Sequence, residues 1–215
     1  TTKPSTSTLT LGTSNEANNM TNQTLATDTE VTSSPVVDLK TVLVAGGCFW
    51  CVEADAEKLP GVVSAVSGYA GGTDLNPTYE NYADSGHREV VQITYDPNQI
   101  SFEAVLINTI KHMDPTDGGG SFYDRGQQYA PALYYQTEAE AQLIKSLLAE
   151  IDDQGPYEKP LQVEVLAEPV FYPAEDYHQD YYKGTLSSLK YKYYRNASGR
   201  DDFIKQHWGD DTGPS

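Results

Sequence analysis

Apolar residues form no pattern before residue 39; from there they recur in alternating short and long blocks. LKTVLVA (39–45) is a brief apolar run rich in β-branched residues, closed by Gly46-Gly47, and predicts a strand. CFWCVEADAEKL (48–59) contains neither Gly nor Pro, has acidic residues, and predicts a helix ended by Pro60-Gly61. VVSAVSGYAGG (62–72) reads as a second strand with a glycine-rich exit, and TDLNPTYENYADSGH (73–87) as a loop of turn formers. REVVQITYD (88–96) alternates as a third strand. After the Pro97-Asn98 turn, SFEAVLINTIKHM (101–113) has the spacing of an amphipathic helix, with Ser101 as N-cap and Glu103 close behind. DPTDGGG (114–120) must be loop, and PALYYQ (131–136) a strand. TEAEAQLIKSLLAEID (137–152) is a helix with a Thr137/Glu140 capping box. LQVEVLAEPV (161–170) is the last predicted strand. AEDYHQDYYKG (174–184) predicts a short helix, followed by a tyrosine-rich arm ending in FIKQHW. This order predicts an α/β (α+β) sandwich with one main sheet and helices on it.

The first 38 residues change this picture only by standing outside it. They are mostly Thr, Ser and Asn with few apolar anchors, so they cannot bury enough surface to offset their ordering entropy. The expected organisation is a disordered tail over 1–38 and a single catalytic domain with a tyrosine-rich C-terminal arm over 39–215. A Ser/Thr-rich tail accompanies many exported or tethered proteins, so an exported or periplasmic location is one expectation and the cytoplasm the other. Asn22-Gln23-Thr24 matches a glycosylation acceptor pattern. No run of about 18 apolar residues predicts a membrane span. Fourteen basic against 31 acidic residues give a net charge of −17, which favours solubility and disfavours nucleic acid and anionic lipid as partners.

Chemistry concentrates where the first strand meets the first helix. Both cysteines of the chain, Cys48 and Cys51, lie there, with Phe49 and Trp50 between them. A thiolate at Cys48 would sit near unpaired backbone N–H groups and the positive end of the helix dipole, which is expected to lower its pKa. Residues at i and i+3 on a helix start roughly 5–6 Å apart at Cβ. A disulfide needs about 3.5–4.5 Å, so a modest local change would close the pair. The loop enclosed is tiny and adds little stability, which suits a reversible couple better than a structural staple. A zinc half-site would need further clustered ligands, and His87, His112, His178 and His207 are scattered. Haem attachment would need His after the second cysteine, where Val52 stands. Phe49 and Trp50 either belong to the core or line an apolar cup beside the thiol.

GGCFWCVE, followed by LPGV, SGYAGG, NPTYE, SGHREVVQITYDP and PAEDYHQDYY, resembles the peptide methionine-S-sulfoxide reductases of the A type. The resemblance runs from about Thr41 to Tyr182. It implies a two-layer sandwich around a mixed sheet of the ferredoxin-like plait. It also implies that Cys48 attacks the sulfoxide sulfur, that Phe49 and Trp50 hold the substrate methyl group, and that Glu89 protonates the sulfoxide oxygen. Tyr79 and Tyr129 would hydrogen-bond that oxygen and Asp124 would complete the polar wall. Arg125 and Ala130 stand where the family often has His and Arg, which touches the rim of the site. Many members keep recycling cysteines near the C-terminus. This chain has none there, so Cys51 is the candidate that forms the Cys48–Cys51 disulfide, which thioredoxin or another dithiol then reduces. No metal or organic cofactor is required. The implied partners are methionine sulfoxide, free or in oxidised proteins and peptides, and a thioredoxin-like reductant acting on a monomer. Two other readings stay open: a general CxxC dithiol–disulfide oxidoreductase, and a non-catalytic exported binding module with one disulfide.

Overall fold

The computed structural model describes residues 38–209; the expected tail and the Asn22 acceptor lie outside them. The chain runs β1 (Lys40–Ala45), α1 (Phe49–Ala56), β2 (Val62–Ala70), β3 (Arg88–Tyr95) and α2 (Phe102–Lys111). A small hairpin follows, β4 (Gly120–Ser121) and β5 (Asp124–Arg125), then β6 (Ala132–Tyr135), α3 (Glu138–Gln154), β7 (Glu164–Ala167) and β8 (Phe171–Pro173). Two helices, α4 (Ser187–Ala197) and α5 (Arg200–Trp208), end the described chain. The main sheet has the order β7-β6-β1-β3-β2-β8. Only the β6–β7 pair is parallel, so the sheet is mixed. Its inner four strands, with α1 and α2 as crossovers, have the interleaved order of the ferredoxin-like plait, as the resemblance implies.

Alternation along the strands decides what each face holds. On β1, Val42 and Val44 join the main core with Val52, Leu106, Ile110 and Ile144 from the three helices that cover that face. Leu43 and Ala45 point the other way, into a smaller cluster with Val90, Ala132 and Tyr134. On β3 the same period of two puts Glu89 in line with Val91, Ile93 and Tyr95 on the helix-covered face. That register buries a carboxyl which an alternating strand would more often give to solvent; Glu89 is 2% exposed. The helix caps follow the sequence expectation: Ser101 accepts from the N–H of Ala104, and Thr137 and Glu140 form the reciprocal capping box.

Three expectations need correction. The strand predicted over 161–170 is the shorter β7, and a separate strand, β8, pairs with β2 instead. That pairing needs Gly68, because a Cβ there would stand 2.4 Å from the carbonyl oxygen of Tyr172. The helix predicted over 174–184 is one 3-10 turn at Asp176–His178 followed by turns. The C-terminal arm is two helices. They are tied to α1 by Arg195, whose Nη1 donates to both oxygens of Asp55 at 2.9 and 2.8 Å and to which the hydroxyl of Tyr191 is also bonded at 2.9 Å. Burial is the largest influence and works against the Asp55 carboxylate, but Arg195, His112 and Lys58 together outweigh it and hold its pKa below the usual range. Replacing Asp55 by Ala leaves that guanidinium with only the exposed Asp201, 2.8 Å away, as its anion. The expected cost is about 3 kcal/mol, the low end for breaking a buried ion pair, read as a lower urea midpoint at unchanged slope.

Candidate active site

The site forms where β1 hands over to α1. Gly47 takes φ of 89°, a conformation open to glycine, and turns the chain so that Cys48 caps α1. Cys48 is 6% exposed and lines a cavity of about 180 Å³ with Phe49, Trp50, Tyr79, Glu89, Asp124, Tyr129 and Tyr194. Every site residue expected from the sequence therefore reaches this cavity except Cys51. That residue lies beneath it, fully buried among Cys48, Ala54 and Tyr191.

Two features of the cavity wall differ from expectation. The first N–H of α1, on Phe49, donates to Oε2 of Glu89 at 2.9 Å. The amide expected to serve the sulfur thus serves the carboxyl, and the cap makes no side-chain hydrogen bond of its own. The ionisation of the thiol pair is correspondingly reversed. Cys48 donates its S–H to Cys51, and this bond, together with burial, pushes the Cys48 thiol well up. The same bond brings Cys51 down to about 7, helped by the charges of Arg200 and Arg195. Of the two thiols Cys51 is therefore the one that ionises first, one proton transfer away from Cys48.

Glu89 carries the opposite perturbation. Burial pushes its pKa up to about 8, against hydrogen bonds from the Phe49 N–H and from the Tyr82 hydroxyl, which reaches Oε1 at 2.9 Å. The acid is therefore protonated at neutral pH. Arg125 does not oppose this: it is turned outward and paired with Asp117. Asp124 accepts from the hydroxyl of Tyr194 and from the N–H of Cys48, while burial raises its pKa.

The sequence model of the peptide methionine sulfoxide reductase family matches residues 40–212. The chain belongs to this family. It is 51% identical over 170 residues to the peptide methionine sulfoxide reductase MsrA/MsrB of Vibrio cholerae, covering 78% of this chain and 44% of that one, so it spans less than half of that relative. It is 44% identical over 173 residues to MsrA of Halalkalibacterium halodurans, covering 80% of this chain and 97% of the other. Among solved structures it is similar to methionine sulfoxide reductase A of Corynebacterium diphtheriae, with a TM-score of 0.63, 29% identity and coverage of 69% and 76%. The reduced form of Mxr1 from Saccharomyces cerevisiae gives a TM-score of 0.64 at 25% identity, covering 69% of this chain and 86% of that one.

Within this reductase-family site, the aromatic wall is held by groups that sequence reading passed over. Trp50 stacks on Tyr181 with centroids 3.9 Å apart and planes 6° from parallel. Its indole N–H donates to Nδ1 of His178 at 3.1 Å. Burial lowers the pKa of His178, so the neutral ring accepts this bond. Tyr82 stacks on Tyr69 and Tyr79 while holding Glu89, with its oxygen 3.5 Å from that of Tyr129. Tyr82 and Tyr194 carried no signal in the sequence beyond belonging to a tyrosine-rich chain. Their roles come from tertiary placement.

Proposed function

We propose that this chain reduces methionine S-sulfoxide, free or within peptides, to methionine by thiol chemistry at Cys48. The observation that carries this reading is a buried carboxyl, Glu89, its pKa raised to about 8, and a thiol, Cys48, on the wall of one small cavity otherwise lined by five aromatic residues and Asp124. A sulfoxide is a weak electrophile until its oxygen is protonated or strongly hydrogen-bonded. The substrate methyl group packs against Phe49 and Trp50, and its oxygen points toward Glu89, Tyr79 and Tyr129.

The proton inventory is consistent with this chemistry. Cys48 passes its proton to the Cys51 thiolate and attacks sulfur as Glu89 protonates oxygen. The hydroxyl passes from the methionine sulfur to Cys48 as the transient S–S bond and the original S–O bond break, so methionine leaves with two more electrons and Cys48 holds a sulfenic acid. Cys51 then displaces the hydroxyl as water and a Cys48–Cys51 disulfide forms. A dithiol protein of the thioredoxin kind restores the pair by exchange. Methionine sulfoxide in oxidised proteins is the substrate class, and the cycle needs no organic cofactor or metal.

The test is to offer the reduced protein each diastereomer of a methionine sulfoxide peptide. Turnover of the S form alone supports the reading. Reduction of protein disulfides without sulfoxide turnover would instead make it a general oxidoreductase. Cys51→Ser is expected to release one equivalent of methionine per chain and then stop when thioredoxin is the donor. Continued thioredoxin-driven turnover in that variant removes Cys51 from the cycle.

A further inference from the structure

We propose that Arg200 is a positioning residue for the recycling half of the reaction, holding Cys51 as the anion that attacks the oxidised Cys48. The inference rests on the reduction cycle above, with Cys51 as the resolving thiol.

Arg200 opens α5 directly after Gly199 and is completely buried. Its Nη1 donates to the carbonyl oxygen of His112, whereas Nε and Nη2 have no hydrogen-bond partner among the described residues. The guanidinium carbon lies 4.7 Å from the centre of the Phe122 ring. Nη2 stands 3.5 Å from where a Cβ on Gly47 would be, so the cation is wedged against the turn that leads into Cys48. A buried cation with unused donors is costly unless an anion lies close.

The neighbouring acids are already engaged. From α1, Asp55 is held by both of its oxygens on Arg195 of α4. Asp124 of β5 takes the hydroxyl of Tyr194 and the N–H of Cys48. Glu89 of β3 is occupied by Phe49 and Tyr82, and from α4 Tyr191 bonds Arg195. Asp55 and Asp124 add their charges from nearby, but neither accepts from the free donors of Arg200, and Cys51 is the largest single attraction that holds the cation there. The charge of Arg200 draws Cys51 down, second in effect only to the hydrogen bond from Cys48 among the influences that favour its thiolate; Arg195 adds to this and Asp55 opposes it.

The step this serves is balanced. The Cys51 thiolate donates an electron pair to the Cys48 sulfur, the S–S bond forms, and the S–O bond breaks. Hydroxide leaves and takes the proton that Cys51 gives up, becoming water; Cys48 is reduced and Cys51 oxidised. A thiol whose pKa lies near the ambient pH gains more from its thiolate population than it loses in intrinsic nucleophilicity. Where other members bring cysteines from the C-terminus, this chain brings a cation.

The test separates Arg200 from the reaction. In a Cys48→Ser background, Cys51 is titrated by its thiolate absorbance, with Arg200 intact or replaced by Met, Gln or Lys. Arg200→Met is expected to move the titration to higher pH and to lower the thiolate population at neutral pH by about tenfold, and Lys to recover most of it. If Met disrupts the fold by circular dichroism, Gln, which can still donate to the His112 carbonyl, gives the same comparison against Lys. With Cys48 present, methionine release and disulfide formation are timed in one turnover of S-sulfoxide. Disulfide formation should slow about tenfold more than methionine release. An unmoved titration, or equal slowing of both steps, overturns the role of Arg200. Absence of methionine release in the unsubstituted protein would overturn the reductase reading instead, while the titration would still report on Arg200.

Discussion

Cys48→Ser is expected to release no methionine from S-sulfoxide, even in a single turnover at high protein concentration. The serine hydroxyl ionises far outside the working range, and its oxygen cannot accept the sulfoxide oxygen as sulfur does, so neither attack nor oxidation of the protein follows. The loss should be complete because nothing else on the cavity wall is a reductant: its other lining residues are Phe49, Trp50, Tyr79, Glu89, Asp124, Tyr129 and Tyr194. Cys51 cannot replace it from its fully buried position below. The substitution leaves the aromatic wall and Glu89 in place, so the variant should still bind the sulfoxide, and calorimetry against single-turnover chromatography separates binding from chemistry. Any stoichiometric methionine from this variant would mean that the reaction does not run through position 48.

Glu89→Gln should lower kcat/KM by about 10²–10⁴, the usual worth of a placed general acid. Its amide can accept the Phe49 N–H while the Tyr82 hydroxyl turns to accept from it, so the loss should fall on chemistry and not on folding. The pH profile is the sharper measurement. With its pKa raised to about 8 by burial, Glu89 is the proton donor below that value, and activity should fall as pH rises through it. Gln removes this limb. Stability carries the same signature with a fixed sign. The unfolded chain releases the Glu89 proton near the ordinary carboxyl value, while the folded chain keeps it to about 8. The native state therefore binds the extra proton between those limits, and stability drops as pH rises across them. Glu89→Gln should be more stable than the unsubstituted protein at pH 8 and close to it at pH 4. A flat comparison across that range would show that the carboxyl is not held neutral.

How far the sequence could be read depended on whether a residue's role was local. The caps at Ser101 and Thr137, the strand-to-helix turn at Gly46-Gly47, and the period of two in β3 are decided within a few residues, and they stand where the pattern puts them. Tyr79 in NPTYE and Glu89 in SGHREV sit in motifs that carry the family resemblance, and they line one cavity with Asp124 and Tyr129. What was not legible depends on distant partners. The ionisation order of the thiol pair is set by the hydrogen bond between the two sulfurs, by burial, and by Arg200 and Arg195 from distant helices, while the Phe49 N–H goes to Glu89, 40 positions away. The C-terminal helices looked like an arm because their apolar stripe is thin. Their purpose lies in Arg195 and Arg200, whose charges act on α1 across the fold. Strand β8 is three residues long and owes its existence to Gly68, so no periodicity could reveal it.

Because both sulfurs ride on one turn of α1 and the closing helices are clamped to that turn by the Arg195–Asp55 pair, oxidation and reduction can proceed without ferrying any segment across the molecule. The reduced and oxidised forms should then share one hydrodynamic radius and one scattering profile. Molecules locked in a lattice with open solvent channels should still complete the cycle when fed sulfoxide and a small dithiol.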